Sequence, residues 1–262
     1  MAEQLSFRLE PALPRPGDLA PMWPTPHPEP FDSPDFLFEP TWGGHRVLAF
    51  IDPAERAGDG EVRLVDGAGR DLAGRVPELA GLAVRVAARS AVLDAELVVV
   101  DGGGRANDEA LRERLAGKPG RPAALLVFDL LHLDGRWLLN QPLEKRRDLL
   151  RRVLRPGDEV VMVPAIAGEG RALYDAVVAQ GIAGVLARRR TSPYLPGVRS
   201  ALWRSIVAVA SGAGDGDPAQ PPADQPEAEQ PAEHPVAGEA ASGTAPVLAL
   251  FRRLPFDDDP AD

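Results

Sequence analysis

The chain contains no cysteine, which excludes structural disulfides and thiolate metal sites. It has only four histidines, too scattered for a histidine zinc cage. No run of about 18 residues is apolar throughout, so no membrane-spanning helix is expected. The opening residues, MAEQLSFRLEPALPRPGD, place no apolar core behind basic residues. No signal peptide is therefore expected, and the expected location is cytoplasmic or nucleoid-associated. Lysine is nearly absent. Of 29 basic residues only Lys118 and Lys145 are lysines. Arginine stays protonated at neutral pH and is a poor nucleophile, so any chemistry that needs a lysine amine has two candidates.

What is present suffices for a folded unit. Hydrophobic residues make up 44% of 262, enough for a buried core. The net charge of −10 is carried almost entirely by the C-terminal part. From Ser211 onward there are eleven acidic residues and two basic ones, Arg252 and Arg253. The remainder is close to neutral, and so is neither self-repelling nor a basic trap for nucleic acid.

Residues 1–34 are proline-rich and read as an irregular arm, with the domain proper beginning at about residue 21 and running to 209. Extended pieces are expected from Phe36 to Ile51 around a turn at Gly43-Gly44, and from Glu61 to Val65. Leu79, Leu82 and Val86 fall on one side of a helix expected over 76–88. A strong strand is expected over 92–100, closed by a hairpin turn at Asp101-Gly102-Gly103-Gly104. That turn lacks the Lys-Ser/Thr of a phosphate loop. Asn107 is placed to cap a helix through Leu115. A strand over 123–133 ends at Asp134-Gly135, and an amphipathic helix is expected over 143–154. Strands over 159–163, 184–189 and 203–209 follow, with a helix over 170–180 closed by Gly181. Strands and helices without regular βαβ spacing indicate an α+β fold.

After Val209 the composition becomes Pro, Ala, Gly and acid. Residues 210–245 cannot bury enough surface to offset ordering entropy, and read as a disordered linker. Residues 246–262 differ. Val247, Leu248, Leu250, Phe251, Leu254 and Phe256 form a small apolar group beside acidic residues. Two readings are open: an end that docks on its own domain, and a short motif, residues 246–256, for a protein partner.

Several segments carry a resemblance through their order and spacing. PFDSPDFLFEPTWGGHRVLAF resembles the nucleophile region of ATP-dependent DNA ligases of the bacterial end-joining type, whose pattern is Glu-x-Lys-x-Asp-Gly-x-Arg. Glu39, Gly44 and Arg46 match; Thr41 stands at the lysine position and Gly43 at the aspartate position. VLDAELVVVD resembles the family's Leu-Asp-Gly-Glu-Ile-Val strand, with Glu96 matched. LLVFDLLHLDG resembles its adenine-stacking strand, with Phe128, Asp129 and Leu131 matched, and PLEKRRDLLRRVL resembles the helix that follows. GIAGVLARRRTSPYLPGVRSALWRSIV resembles the last two nucleotide-binding motifs. Gly184, Tyr194, Pro196, Gly197, Arg199, Ser200 and Trp203 match. Ala183 stands at a glutamate position, Arg188 at a lysine position, and Ser205 and Val207 at two further lysine positions. The resemblance covers residues 20–208.

The resemblance implies two packed, mainly antiparallel sheets with flanking helices, as in the DNA ligase and mRNA-capping nucleotidyltransferases. No OB-fold domain is expected in this chain. It also implies ATP or AMP and Mg2+ as cofactors, and DNA or nucleotide as partners. Glu39, Arg46, Glu96, Phe128 and Arg188 are the implied nucleotide-binding residues, with Glu96 also a metal ligand. In the family a lysine amine attacks the α-phosphorus of ATP. Thr41 cannot form that phosphoramidate, and Gly43, Ala183, Ser205 and Val207 remove charged groups around it. The expectation is a catalytically degenerate ligase domain that binds nucleotide, DNA or protein. The alternative is an active nucleotidyltransferase using unorthodox residues, such as Thr41 with His45 as base, or a partner subunit. Lys118, in a loop, and Lys145, on the outer side of a helix, are expected as solvated charges. The run Arg188-Arg189-Arg190 reads as a solvated edge or a phosphate contact.

Overall fold

The computed structural model describes residues 19–208, apart from 53, 103 and 104, together with Leu254. The expected linker and the rest of the terminal peptide lie outside the described residues. The strands are β1 (Trp23–Pro26), β2 (Ser33–Thr41), β3 (His45–Ile51), β4 (Val62–Asp66), β5 (Ala91–Val99), β6 (Ala123–Leu133), β7 (Arg136–Trp137), β8 (Val160–Met162), β9 (Ile166–Gly168), β10 (Gly184–Arg189) and β11 (Arg199–Val207). The helices are α1 (Leu82–Arg85), α2 (Asp108–Leu115), α3 (Leu143–Val153) and α4 (Gly170–Ala179). They build two sheets. Sheet A runs β1-β11-β10-β2-β9 and sheet B runs β4-β3-β5-β6-β7, with β8 beside β6. Pairing is antiparallel except for β1 with β11 and β6 with β8. The α+β expectation of two mainly antiparallel sheets holds.

Alternation along the strands assigns the faces. In β5, Ala91, Leu93, Ala95, Leu97 and Val99 join the large cluster formed with α1 and α3. The intervening Val92, Asp94, Glu96 and Val98 therefore face the opposite way, toward the seam between the sheets. Strand β3 does the same, with Val47, Ala49 and Ile51 on the helix side and Arg46, Leu48 and Phe50 on the seam side. In sheet A, Phe38, Val185, Ala187 and Ile206 join the cluster that holds Leu173 and Val177 of α4. Their neighbours Glu39, Thr41, Leu186, Arg188, Trp203, Ser205 and Val207 occupy the other face.

Two irregularities in β6 break the alternation. The partner of Ala95 is Val127 and that of Asp94 is Asp129, so Phe128 is an extra residue opposite no one. Likewise Leu93 pairs Leu130 and Val92 pairs His132, which makes Leu131 extra. A β-bulge of this kind puts two successive side chains on one side of the sheet. Phe128 and Asp129 both face the seam, as do Leu131 and His132.

Three local expectations need correction. The proline-rich arm is not irregular throughout, because Trp23–Pro26 forms β1 and β2 already starts at Ser33. Proline conceals β1 from a periodicity reading, yet it is tolerated because β1 is an edge strand. The helix expected over 76–88 is instead a 3-10 turn (Pro77–Leu79) followed by one α-helical turn, α1. Gly81 separates the two, and Val86 leaves the helix to bridge Leu154. The apolar residues are still buried, so burial there needed no continuous helix. The last strand begins four residues before the expected Trp203. Strands β7 and β9, each of two or three residues, were too short to carry a period. The expected cap of α2 holds, with Asn107 Oδ1 accepting from the Ala110 amide at 2.9 Å. Among the described residues no helix is long and apolar enough to cross a membrane.

His132 carries a pH prediction. Its side chain is fully buried against Trp137, and among the described residues neither ring nitrogen has a hydrogen-bond partner. Burial pushes its pKa below the ordinary 6.5. The unfolded chain therefore binds a proton that the folded state resists, and stability falls as pH drops below about 6.5. Urea midpoints at pH 8 and pH 5.5 should differ more for the native chain than for His132→Leu. Equal differences in the two proteins would show that His132 does not titrate against folding.

Candidate functional site between the sheets

The chain crosses from sheet A to sheet B once near this face, through Trp42-Gly43-Gly44 between β2 and β3. Gly44 must be glycine. A Cβ there would overlap the Leu97 carbonyl oxygen and lie 2.9 Å from Val98 Cγ1. Gly43 has φ +73°, in the region that favours glycine, and a Cβ on it would stand 3.2 Å from that of Ala183. The tight crossing is held by Glu96 of β5. Its carboxylate accepts from the Gly44 amide and from the Thr41 hydroxyl, the latter at 3.4 Å. Burial raises the Glu96 pKa, and the amides of Gly44 and Trp42 partly offset that rise.

Register arranges the seam-facing residues of sheet A in rows. Leu37, Arg188 and Trp203 form the deepest, Glu39, Leu186 and Ser205 the next, and Thr41, Gly184 and Val207 the outermost. Depth separates two groups. Arg188 and Trp203 have no exposed surface, and Glu39 is buried, whereas Val207 is 65% exposed and Ala183 is exposed. Thr41, Gly43, Ala183 and Val207 thus gather in the outermost row and the crossing beside it, while Ser205 shares the middle row with Glu39. The matched residues Glu39 and Trp203, and Arg188 at a lysine position, are buried.

The deep part is a network of arginines and acids. Arg188 Nε donates to Glu39 Oε2 at 2.7 Å and its Nη2 to Oε1 at 2.6 Å. It also donates to Asp129 Oδ2 at 3.1 Å and to the Phe128 carbonyl at 2.7 Å. Arg147 of α3 donates to Glu39 as well and to the Phe128 and Val163 carbonyls. Arg146 makes a two-pronged pair with Asp129, both contacts at 2.8 Å. Burial alone would raise the Asp129 pKa, but Arg146 and Arg188 together hold it below the usual carboxylate range. A second group sits beside the first. Arg46 pairs Asp94 through both oxygens at 2.9 and 2.6 Å. Tyr194 donates to Asp94 Oδ2 at 2.6 Å and accepts from the Met22 amide at 3.0 Å.

Two aromatic rings meet these cations. The Arg46 guanidinium is 4.9 Å from the Phe128 ring and 5.4 Å from that of Trp203. Arg188 is 5.1 Å and 5.0 Å from the same rings. Phe128 is 6% exposed. The space beside Phe128 is therefore filled by side chains, and a purine gains a face of that ring only if a guanidinium moves away.

The five expected nucleotide contacts divide accordingly. Glu39, Arg46, Phe128 and Arg188 are brought together, as partners of one another. Glu96 stands apart at the crossing with Thr41. Each Glu96 oxygen accepts a hydrogen bond from the protein, and the carboxylate keeps a further lone pair. Among the described residues no group of three or more His, Asp or Glu side chains converges as a metal site. The His45 imidazole lies 3.4 Å from Asp66 while the Thr41 hydroxyl turns to Glu96, so the two do not form a nucleophile–base pair. Lys118 is exposed and pairs Glu113 at 3.0 Å; Lys145 is exposed on α3. Of the arginine run, only Arg189 and Arg190 are solvated, beside Asp35 and Glu144. The sequence reading matched Tyr194 to a family motif but gave no part to Asp94, Arg146 or Arg147. An aspartate in the otherwise apolar strand β5, two residues before Glu96, was the signal available for Asp94.

Two sheets closing on a seam lined by these motifs define a nucleotidyltransferase fold. The chain belongs to the ATP-dependent DNA ligase domain family, whose model matches residues 28–206. It is 36% identical over 168 residues to the multifunctional non-homologous end joining DNA repair protein LigD of Mycobacterium tuberculosis. That match covers 64% of this chain and 21% of the relative, so the chain spans about a fifth of its length. A probable DNA ligase of Rhodococcus opacus is 36% identical over 155 residues, covering 58% of this chain and 30% of that protein. A solved mycobacterial DNA ligase D complexed with ATP and MES superposes with a TM-score of 0.62 at 32% identity, over 72% of this chain and 60% of that one.

Proposed function

We propose that this chain is a catalytically degenerate ligase adenylation domain, kept as a binding module for DNA or a repair protein. The observation that carries the reading is the Thr41 hydroxyl bonded to Glu96 at the outer end of the seam, with both lysines elsewhere on the surface. Adenylation needs an unprotonated amine in line with the departing pyrophosphate, and a threonyl phosphodiester would be a poor AMP donor. The positions that would supply cations or carboxylates around the phosphates carry Gly43, Ala183, Ser205 and Val207. ATP and Mg2+ belong to the family's chemistry. Here the enclosed Phe128 ring and the committed arginines favour a macromolecular partner over a free nucleotide. The repair context rests on the end-joining relatives.

Purified protein incubated with α-labelled ATP and magnesium should show no covalent adduct on a denaturing gel. ATP should raise the melting temperature by less than about 2 °C, since only binding to the folded state stabilises it. A labelled band would establish the alternative, an active nucleotidyltransferase. The double variant Thr41→Lys, Gly43→Asp should also fail to seal a nick. Its aspartate meets the left-handed backbone and Ala183, and three uncharged positions remain around the new lysine. Efficient sealing would show that those positions matter less than argued.

A further inference from the structure

We propose that residues 247–256 are a docking element for their own domain, seated on the apolar layer that joins sheet A, α4 and the seam side of sheet B. This inference does not depend on the nucleotide reading. Leu254 is 8% exposed and belongs to the cluster that holds Trp42, Val98, Leu173 and Ile206. All other members of that cluster come from residues 31–208. Forty-five residues separate Ala208 from Leu254. Even a random chain of that length spans roughly 35–40 Å, so length alone does not bring Leu254 to any particular place. Burial of its side chain requires an apolar seat. Phe31, Ala106, Ile166, Tyr174, Ala176 and Ala208 are partly buried residues packed against the same cluster.

The composition fits the seat. The stretch before it is Pro, Ala, Gly and acid, whereas Val247, Leu248, Leu250, Phe251, Leu254 and Phe256 put six large apolar residues within ten positions. Tethering gives such a segment a high effective concentration at its own domain, so modest affinity suffices for occupancy. A partner in solution would have to displace it. The occupant is therefore the chain's own terminus.

Hydrogen exchange followed by mass spectrometry on the full chain reads the docking directly. Amides of residues 250–256 should exchange at least tenfold more slowly than in a free peptide of residues 246–262. In the full chain carrying Leu254→Asp that protection should vanish and the melting temperature should fall by about 5 °C or more. The same peptide, fluorescently labelled, should bind the Leu254→Asp chain at least tenfold more tightly than the native chain, whose seat is taken. Peptide-like exchange in the native chain overturns the proposal, and that measurement stands whether or not the variant folds. Protection that disappears on dilution, together with a dimer by light scattering, would assign the seat to a second copy and overturn docking in cis.

Discussion

Arg188→Ala is expected to destabilise the domain by about 3–5 kcal/mol, the usual cost of removing one partner from a buried ion pair. The side chain has no exposed surface and makes four hydrogen bonds, to Glu39, Asp129 and the Phe128 carbonyl. Removing it strands part of two buried carboxylates and one carbonyl, and leaves a cavity beside Phe128 and Trp203. In a domain of this size each kcal/mol shifts the melting temperature by about 2–4 °C, so the melt should drop by roughly 6–20 °C. Arg188→Lys should fall in between. One ammonium keeps the charge but lacks the planar fork that spans both Glu39 oxygens. The adjacent Arg189→Ala is the control. Its partner Asp35 is exposed and 3.4 Å away, so its loss should change stability by less than about 0.5 kcal/mol. Equal melts for the two alanine variants would mean that the buried network is not a stabilising feature of this fold.

Gly44→Ala is the second large effect expected. The added methyl would overlap the Leu97 carbonyl oxygen, which is backbone inside a sheet and cannot swing aside. Either the crossing moves away from β5 or the ladder opens. The first outcome breaks the bond from the Gly44 amide to Glu96. Overpacking of this kind costs about 1–3 kcal/mol, and the lost hydrogen bond to a buried carboxylate adds to it. Gly74→Ala supplies the comparison, because a Cβ there meets nothing within 4 Å and the φ is ordinary. Urea unfolding of both variants tests the point: Gly74→Ala should match the native midpoint while Gly44→Ala falls well short. Matching midpoints would show that the crossing has slack.

How far the sequence disclosed the site follows from the period of its strands. Glu39, Thr41, Arg188, Trp203, Ser205 and Val207 share one face because β2, β10 and β11 alternate regularly, so motif order alone placed them together. The bulges lay beyond such reasoning. A strand pattern read in steps of two puts Phe128 and Asp129 on opposite faces, and only the pairing of Asp94 with Asp129 reveals that they share one. The partners of the arginines were hidden for a different reason. Arg146 falls on one stripe with Leu143 and Leu150, but Arg147 sits among charges, where arginine ordinarily points to water, and the acids that hold both lie more than 15 residues distant. Met22 was missed because proline masks the strand beside it, although its amide completes the chain of bonds through Tyr194 to Asp94 and Arg46.

The extra residue at position 128 also bears on which changes this lineage can tolerate over descent. Substitution along the outer rows costs little packing, and the residues there can drift. Shortening β6 by a single residue is another matter. Deleting Phe128 would make that stretch of the ladder regular and leave Asp129 opposite Asp94, but it would take away the ring that meets Arg46 and Arg188. The ring at that extra position, more than any outer residue, is what the buried network loses if the strand is made regular.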